Sequence, residues 1–234
     1  MDLDVKFHGK QFDAKQLGMA LMALTQATLS RTPVGIVTDA IFGYRTRVKM
    51  ERAQEFTGGF LEDIKSSDPD KIDWEYLLSE EFLDSFYSVL RRVINTTTEE
   101  KIRRFKKILL NEATRPYKSD FKETFLDIAF RINEDQIQIL KHFWNVKDDC
   151  ESEDNSEQRV VDGEGAEASL KCKANLLGFD EAMYLFYVQD LISKSLLLDE
   201  AIALFGGRTK PYINLRITPF GEEFLRFIEG SPDQ

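Results

Sequence analysis

Histidine and cysteine, the side chains that most often supply nucleophiles and metal ligands, are scarce in this chain. It has 234 residues, with His8 and His142 as its histidines and Cys150 and Cys172 as its cysteines. Neither histidine has an acid or a cysteine at ligand spacing, which argues against zinc ribbons, zinc fingers and disulfide scaffolds. Cys172 would be a nucleophile only if the fold brought a base beside it. We therefore predict no metal site.

Motifs for phosphate binding and acyl transfer are also missing from the sequence. It has no GxxxxGK[ST] or GxSxG motif, and the Gly-Glu-Gly segment at 163–165 lacks the third glycine of a dinucleotide loop. Asp120, Glu123 and Asp127 fall on one face of a predicted helix, which is typical of a solvated surface. We predict a non-enzymatic protein with no catalytic residue and no cofactor; an enzyme without recognisable motifs is one alternative.

Basic side chains between residues 101 and 107 form the most specific electrostatic pattern. At about 100° per residue, most of them lie opposite an apolar stripe formed by Ile102, Phe105 and Leu109. We expect an exposed basic ridge, extended by two arginines of the preceding helix, that binds an acidic protein partner or a phosphate. The predicted partner-binding residues are Arg91, Arg92, Arg103, Arg104, Lys106 and Lys107. The alternatives are a solvated face without a partner and a salt-weakened contact with an acidic segment of the same chain.

The net charge of −10 is concentrated in one segment. Residues 148–168 hold nine acids and one arginine, a net charge of −8, so the rest of the chain carries about −2. This segment has no hydrophobic period and few apolar residues, which predicts a mobile acidic insertion between packed elements. An acidic total repels phosphate and so disfavours general nucleic-acid binding.

Helical periodicity dominates the first half of the chain. It predicts a helix over 13–31 and a long helix that begins at Pro33 and can continue to Ile64. The long helix is expected to bury a stripe that includes Tyr44 and Val48. Further helices are predicted around Trp74, over 80–95, after Thr97, over 120–132 and over 133–146. We predict that residues 1–118 form a helical bundle, with the helix over 80–95 at its centre because its apolar face is broad.

Residues at three helix starts have the spacing of N-terminal caps. Thr97 with Glu100, and Asn133 with Gln136, match the capping box, in which each side chain bonds the other residue's backbone N–H. Thr218 precedes a proline, which is favoured at the first helical position.

The C-terminal part predicts a winged-helix-like domain over 119–230. The helix over 133–146 is followed, after the acidic insertion, by a helix over 180–197 that is apolar almost all round and is expected to be buried. Two β-like segments then flank a turn-rich hexapeptide, GGRTKP, and a last helix begins at Pro219. The order helix, helix, small β-hairpin and closing helix is that of a winged-helix domain. The predicted fold class is therefore mainly α, a helical bundle followed by this domain.

In a DNA-binding winged helix, the helix over 180–197 would be the recognition helix. Its charge is too acidic for contact with DNA. It carries Asp180, Glu181 and Asp190 against Lys194 alone. DNA recognition needs basic or amide-rich side chains on this helix. We therefore predict that the domain binds protein rather than nucleic acid; a DNA-binding transcription regulator is the alternative.

The most apolar stretch, residues 17–43, predicts a helical hairpin. Its apolar pieces are shorter than the ~20 residues that span a bilayer. The N-terminus has no basic leader followed by an apolar run, so we expect a cytoplasmic protein. Because Arg45, Lys49 and Arg52 follow the hairpin, its action on an anionic membrane is a second hypothesis.

Three segments of this sequence resemble a bacterial family of helical proteins. They are TPVGIVTDAIFGYRTRVKMERAQEF, EEFLDSFYSVLRRVINTTTEEKIRRFKKILLNEA, and the end with LISKSLLL and NLRITPFGEEFLRFI. Together they are similar to the Abi-alpha-like proteins, which are associated with abortive phage infection, and the likeness covers most of the chain outside 148–168. The resemblance implies a role in phage defence and no catalytic residue. We predict an interaction protein that binds a protein partner or a second copy of itself and has no small-molecule substrate.

Overall fold

The computed structural model describes residues 4–7, 10–30, 40–150, 174–200, 212 and 215–230. These residues form a mainly helical protein with two small antiparallel sheets, which confirms the predicted mainly α class. The chain divides into two compact units. Unit 1 consists of Met1–Phe130 with Phe227–Gly230, and unit 2 consists of Arg131–Arg226 with Ser231–Gln234.

Unit 1 begins with a β-hairpin that the sequence analysis missed. Strand β1 (Asp4–Phe7) pairs antiparallel with β2 (Lys10–Asp13), and Val5 lies opposite Phe12. The helices that follow are α1 (Ala14–Ser30), α2 (Ala40–Ser66), α3 (Trp74–Leu77), α4 (Glu80–Val93), α5 (Glu99–Thr114) and α6 (Lys122–Arg131). A 3₁₀ turn at Pro69–Lys71 precedes α3.

Helix α4 lies at the centre of unit 1, as its broad apolar face predicts. It contacts α1, α2, α3 and α5, and its side chains Phe82, Phe86 and Leu90 are fully buried. The ring of Phe60, on α2, lies 6.1 Å from that of Phe82 and 5.9 Å from that of Phe86, measured between centroids. Truncation of one buried ring to alanine typically costs about 3–5 kcal/mol, so this cluster is a main source of stability in unit 1.

Helix α2 buries a different part of its length from the one predicted. Tyr44, expected in the buried stripe, is 70% exposed, so this prediction is wrong. Among the described side chains of α2, full burial begins at Ala53 and includes Phe56 and Phe60. The helix also runs through Gly58 and Gly59 to Ser66.

Unit 2 has the predicted order of helices and strands. Its elements are α7 (Glu134–Cys150), α8 (Glu181–Ser193), β3 (Leu197–Asp199), β4 (Leu215–Ile217) and α9 (Pro219–Glu229), whose last turn belongs to unit 1. Strand β3 pairs antiparallel with β4, with Leu197 opposite Ile217. The first predicted β segment, LDEAIALF, forms a strand only as far as Asp199, and its residues after Glu200 lie outside the described part of the chain. Most of the acidic segment and the GGRTKP hexapeptide lie outside the described residues.

The predicted helix caps have mixed outcomes. The Asn133–Gln136 capping box is confirmed, because the side-chain oxygen of each residue accepts the backbone N–H of the other at 2.9 Å. Thr218 is also confirmed as a cap, with its hydroxyl accepting the Gly221 N–H at 2.9 Å. The box at Thr97 is wrong: Thr98 precedes α5 and its side chain makes no capping bond.

Gly221 allows the start of α9 to approach β3 closely. A Cβ atom at this position would lie 2.3 Å from the carbonyl oxygen of Leu196, a distance no side chain tolerates. The same oxygen accepts the Thr218 N–H at 3.1 Å. Position 221 therefore requires glycine, because any side chain there would collide with the carbonyl group of Leu196, the residue before β3.

The boundary between the units falls later than the predicted boundary at 118/119. Helix α6, assigned by the sequence analysis to the second domain, lies in unit 1 as far as Phe130. The physical reason is its packing: Phe125 is fully buried, and its ring lies 5.9 Å from Tyr117 and 5.5 Å from Phe227. All three rings belong to unit 1, so the last turn of α9 completes the core around α6.

Helix α1 has a buried and an exposed side. Leu17, Leu21 and Thr25 are buried, and the Thr25 hydroxyl lies 3.0 Å from that of Thr57 on α2. Among the described residues, no helix is both long enough and apolar enough to cross a membrane. Residues 31–39 of the predicted hairpin lie outside the described residues.

Candidate functional site

Arg104 does not belong to an exposed ridge, and that prediction is wrong. Its side chain is only 7% exposed and donates to the carbonyl oxygen of Ala129 at 2.9 Å. Lys101 donates to the next carbonyl, that of Phe130, at 2.6 Å. The last carbonyls of a helix have no partner within the helix, and cations stabilise its negative end. Two basic side chains of α5 therefore cap the C-terminus of α6.

Three other predicted ridge residues are held by carboxylates of unit 1. Lys106 pairs with Asp63 at 2.8 Å, and Lys107 pairs with Glu229. Arg92 is largely covered and bonds both Glu123 at 3.0 Å and Asp127 at 2.5 Å. The acids at 123 and 127, predicted to lie on a solvated face, thus partner Arg92.

Arg91, Arg103 and Lys107 are the predicted ridge residues that are exposed, and of these Lys107 is paired with Glu229. Arg103 is 72% exposed and lies 3.7 Å from Glu100 in a weak i,i+3 pair. Arg91 lies over the ring of Tyr87, 5.8 Å from its centroid. Partner binding through the predicted ridge residues stays a prediction, and the burial of Arg104 shows that the six do not form one exposed patch.

A buried polar cluster on α3, α4, α5 and α6 was missed by sequence reasoning. The Lys122 Nζ atom lies 3.0 Å from the Tyr76 hydroxyl, 3.1 Å from the Ser85 hydroxyl and 3.2 Å from the Glu112 carboxylate. Tyr76 in turn donates to Glu112 at 3.3 Å. These residues come from four separate parts of the chain, so no spacing in the sequence announces the cluster.

The electrostatics of this cluster favour a fixed ion pair. Burial alone would lower the pKa of Lys122, but the nearby Glu112 carboxylate and Tyr76 hydroxyl outweigh burial, and the pKa is raised. Burial raises the pKa of Glu112, and the bonds from Lys122 and Tyr76 offset only part of that rise. The Lys122 ammonium is therefore a resident cation rather than a free amine nucleophile.

A cleft of about 800 Å³ opens over the cluster. Glu81, Lys122 and Phe121 line it, together with two exposed acids, Asp84 and Asp120. Lys122 contacts Tyr76, Ser85, Glu81 and Glu112, and Glu112 is buried. These contacts join α3, α4, α5 and α6, so the cluster holds four helices of unit 1 together.

Helix α8 exposes an apolar face that was predicted to be buried. Tyr184, Tyr187 and Leu191 are buried on one side, where α8 packs on α7 and β3. On the other side Phe186 is 61% exposed and Met183 is 47% exposed. These two lie one turn apart, so their side chains are neighbours on the helix surface. The prediction of burial all round is wrong, because within the described residues α8 packs on α7 and β3 along one face and leaves Met183 and Phe186 exposed.

An uncharged groove runs between α1 and α2 in unit 1. It has a volume of about 430 Å³ and is lined by Met22 and Thr25 from α1 and by Thr46, Met50 and Gln54 from α2, among others. Methionine adapts its shape to irregular partners and is common at binding surfaces.

The histidines and cysteines offer no alternative site within the described part of the chain. His142 lies against the ring of Phe143, 5.3 Å between centroids. No group of histidine, cysteine, aspartate and glutamate there could hold a metal ion. Cys172 lies outside the described residues.

Comparisons with protein-family models, with curated proteins and with solved structures find no match for this chain. The resemblance to the Abi-alpha-like proteins therefore stays a prediction, and so does the winged-helix assignment of unit 2.

Proposed function

We propose that this chain is a cytoplasmic, non-enzymatic interaction protein whose winged-helix-like unit 2 binds a protein partner through α8. The observation that carries the proposal is the exposed pair Met183 and Phe186 on that helix. Large exposed apolar side chains that lie together mark interaction sites, and aromatic residues are the usual anchors of such sites.

Charge at the start of α8 indicates what the partner would carry. Asp180 and Glu181 are exposed and precede Met183 by less than one turn. A basic side chain of the partner would complement them, while an apolar side chain would pack between Met183 and Phe186. The partner we propose is therefore a protein segment that combines an apolar anchor with a flanking lysine or arginine.

DNA binding is the second candidate, because the order of elements in unit 2 is that of a winged helix. A recognition helix contacts base edges through its N-terminal residues. In α8 those residues are acidic, and phosphate would repel them. Its Lys194 is already paired with Asp190. These observations favour a protein partner over a duplex.

The test is a selection of random displayed peptides on the full chain, followed by measured dissociation constants for the enriched peptides. We expect enriched sequences to combine an aromatic or aliphatic residue with lysine or arginine. Phe186→Asp should weaken their binding by at least about 30-fold, the effect of losing a hot spot. The matched control is Gln138→Asp, which adds the same charge at an exposed position of α7 and should change binding less than twofold, about the scatter of a neutral site.

Two results would contradict the proposal. One is a set of enriched peptides that bind the F186D variant as tightly as the unchanged chain. The other is the absence of enriched peptides together with a low-salt mobility shift of mixed-sequence duplex DNA, which would favour the transcription regulator.

The proposed biological setting, phage defence, is supported by the sequence resemblance alone. We expect bacteria that express the chain to plate fewer phage than bacteria that express the F186D variant. Equal numbers of phage plaques on both strains would contradict a role in phage defence. The proposal that α8 binds a protein partner would still be decided by the peptide measurements.

A further inference from the structure

Lys101 is held by a neutral group, unlike several other lysines of the described chain. Carboxylates pair with the ammonium groups of Lys106, Lys107, Lys122 and Lys194. Lys101 instead donates to a backbone carbonyl at 2.6 Å, and no carboxylate bonds it among the described residues. A carboxylate favours the charged form of lysine, whereas a carbonyl also accepts an N–H of the neutral amine. The surroundings of Lys101 therefore favour the ammonium less than those of the paired lysines do.

A second cation lies beside Lys101. Arg104 follows it by three positions on α5, and side chains at this spacing are neighbours on a helix surface. The two side chains donate to consecutive carbonyl oxygens, those of Ala129 and Phe130, at the C-terminus of α6. The negative end of a helix is equivalent to about half an elementary charge, so it does not balance two cations. Because the Arg104 guanidinium is always charged, its repulsion favours a neutral amine at Lys101.

The Lys101 side chain is partly covered and still in contact with solvent. Its Nζ atom lies 5.7 Å from the centroid of the Phe130 ring, and the residue as a whole is half-buried. Burial lowers the pKa of Lys101, and the charge of Arg104 lowers it further. A lysine that is desolvated or next to another cation is an activated nucleophile, because more of its amine is unprotonated.

We propose that Lys101 is a site of acylation by small activated acyl donors of the acyl phosphate class. The Nζ lone pair would attack the acyl carbon and form a C–N bond, while the bond between that carbon and the phosphate oxygen breaks. Phosphate leaves with the electron pair, and the proton lost from the nitrogen goes to water. The product is a neutral amide, which keeps one N–H for the carbonyl of Phe130. Arg104 would then be the remaining charged cap of this pair at α6.

The experiment treats the full chain with acetyl phosphate and measures the acetylation rate of each lysine by quantitative peptide mass spectrometry. The internal control is Lys118, an exposed lysine without an ion-pair partner in the described part of the chain. In the folded chain Lys101 should react at least about threefold faster than Lys118, as an activated amine does. In concentrated urea the two rates should differ by less than about twofold, because unfolding removes the contacts that distinguish the two amines.

Two variants test whether Arg104 causes the difference. Arg104→Gln removes the neighbouring charge and should lower the ratio of the Lys101 rate to the Lys118 rate toward one. Arg104→Lys keeps the charge and should retain the ratio. Circular dichroism identifies any loss of fold in either variant, and the comparison of folded and urea-unfolded unchanged chain depends on neither.

Three outcomes would overturn the proposal. Lys101 could react no faster than Lys118 in the folded chain, the ratio of the two rates could stay the same in urea, or a folded R104Q variant could retain the ratio. The proposal is separate from the α8 surface. Phe186→Asp should leave the acetylation ratio unchanged, so the two proposals fail separately.

Discussion

Helices α5 and α8 differ in whether their most abundant type of side chain is exposed and free to bind a partner. Helix α5 is rich in cations, yet Arg104 is buried and Lys106 and Lys107 are paired within unit 1. Helix α8 is rich in apolar residues, yet Phe186 is exposed. A side chain can bind a partner only when its neighbours in the fold neither bury it nor engage it in their own contacts. The cations of α5 are held by the C-terminus of α6 and by carboxylates of unit 1. Among the described residues, α7 and β3 cover one side of α8 and leave Phe186 exposed.

The largest expected effect comes from the ion pair between Glu112, on α5, and Lys122. Lys122→Met leaves the buried carboxylate without its cation, and breaking a buried pair in this way costs about 3–5 kcal/mol. We expect the free energy of unfolding, measured by urea denaturation, to fall by about that amount. Lys118→Met, at an exposed lysine of the same cleft, is the control and should have little effect. Equal loss in both variants would show that the pair has no special structural task.

A smaller loss is expected when the cap of α6 is removed from α5. Arg104→Ala deletes the donor to the Ala129 carbonyl and should lower the free energy of unfolding by about 2 kcal/mol, since hydrogen bonds of charged groups contribute about 1.5–3 kcal/mol. Arg103→Ala, at the adjacent exposed position, should change it by less than about 0.5 kcal/mol. If the two variants lose the same stability, the contrast between buried and exposed cations on α5 does not hold.

Glu112 in unit 1 and Asp190 in unit 2 should contribute to stability with opposite dependence on pH. The pKa of Glu112 is raised by burial, so its contribution to stability is present below its unfolded pKa and is lost as pH rises through the folded value. Burial alone would raise the pKa of Asp190 on α8, but the bonds from Lys194 and Gln136 lower it. Its contribution is present above the unfolded pKa and is lost as pH falls through the folded value.

Stability measured from acid to neutral pH in two variants checks these signs. Glu112→Gln should flatten the decline of unfolding free energy above the ordinary glutamate pKa. Asp190→Asn should flatten the loss in acid, below the ordinary aspartate pKa. Unchanged profiles in both variants would mean that neither carboxyl is perturbed by its surroundings.

The smallest expected effect on stability is at the exposed face of α8. Phe186→Ser should change the free energy of unfolding by less than about 0.5 kcal/mol, as exposed positions do. Val188→Ser, on the buried side of the same helix, should be strongly destabilising because it places a hydroxyl in the core. A large loss of stability in the F186S variant would show that Phe186 packs within unit 2 and is no partner surface.

Local sequence patterns predicted the parts of the fold that depend on local contacts. The core face of α4 and the caps at Asn133 and Thr218 follow from spacing within a few residues, and all are confirmed. The hairpin of β1 and β2 was missed, although Val5 and Phe7 alternate with polar residues as strands do. An alternation over four residues is a weak signal, and it is followed directly by a strong helical periodicity.

The candidate sites were less predictable because they depend on distant parts of the chain. The buried Arg104 donates a hydrogen bond to a carbonyl oxygen 25 residues along the chain. The partners of Lys122 come from three other helices. The periodicity of the sequence does not predict contacts between residues so far apart in the chain. For α8 the apolar pattern predicted burial all round, and it could not show that Met183 and Phe186 would be exposed.

We propose that partner binding lies with α8 and not with the basic ridge of α4 and α5. The most direct test is the dissociation constant of one library-selected peptide for two variants of the full chain, Phe186→Asp and the double variant Arg91→Glu with Arg103→Glu. We predict weakening of at least about 30-fold for F186D and little change for the double variant. Weakening by the double variant, with F186D binding as the unchanged chain does, would contradict the account.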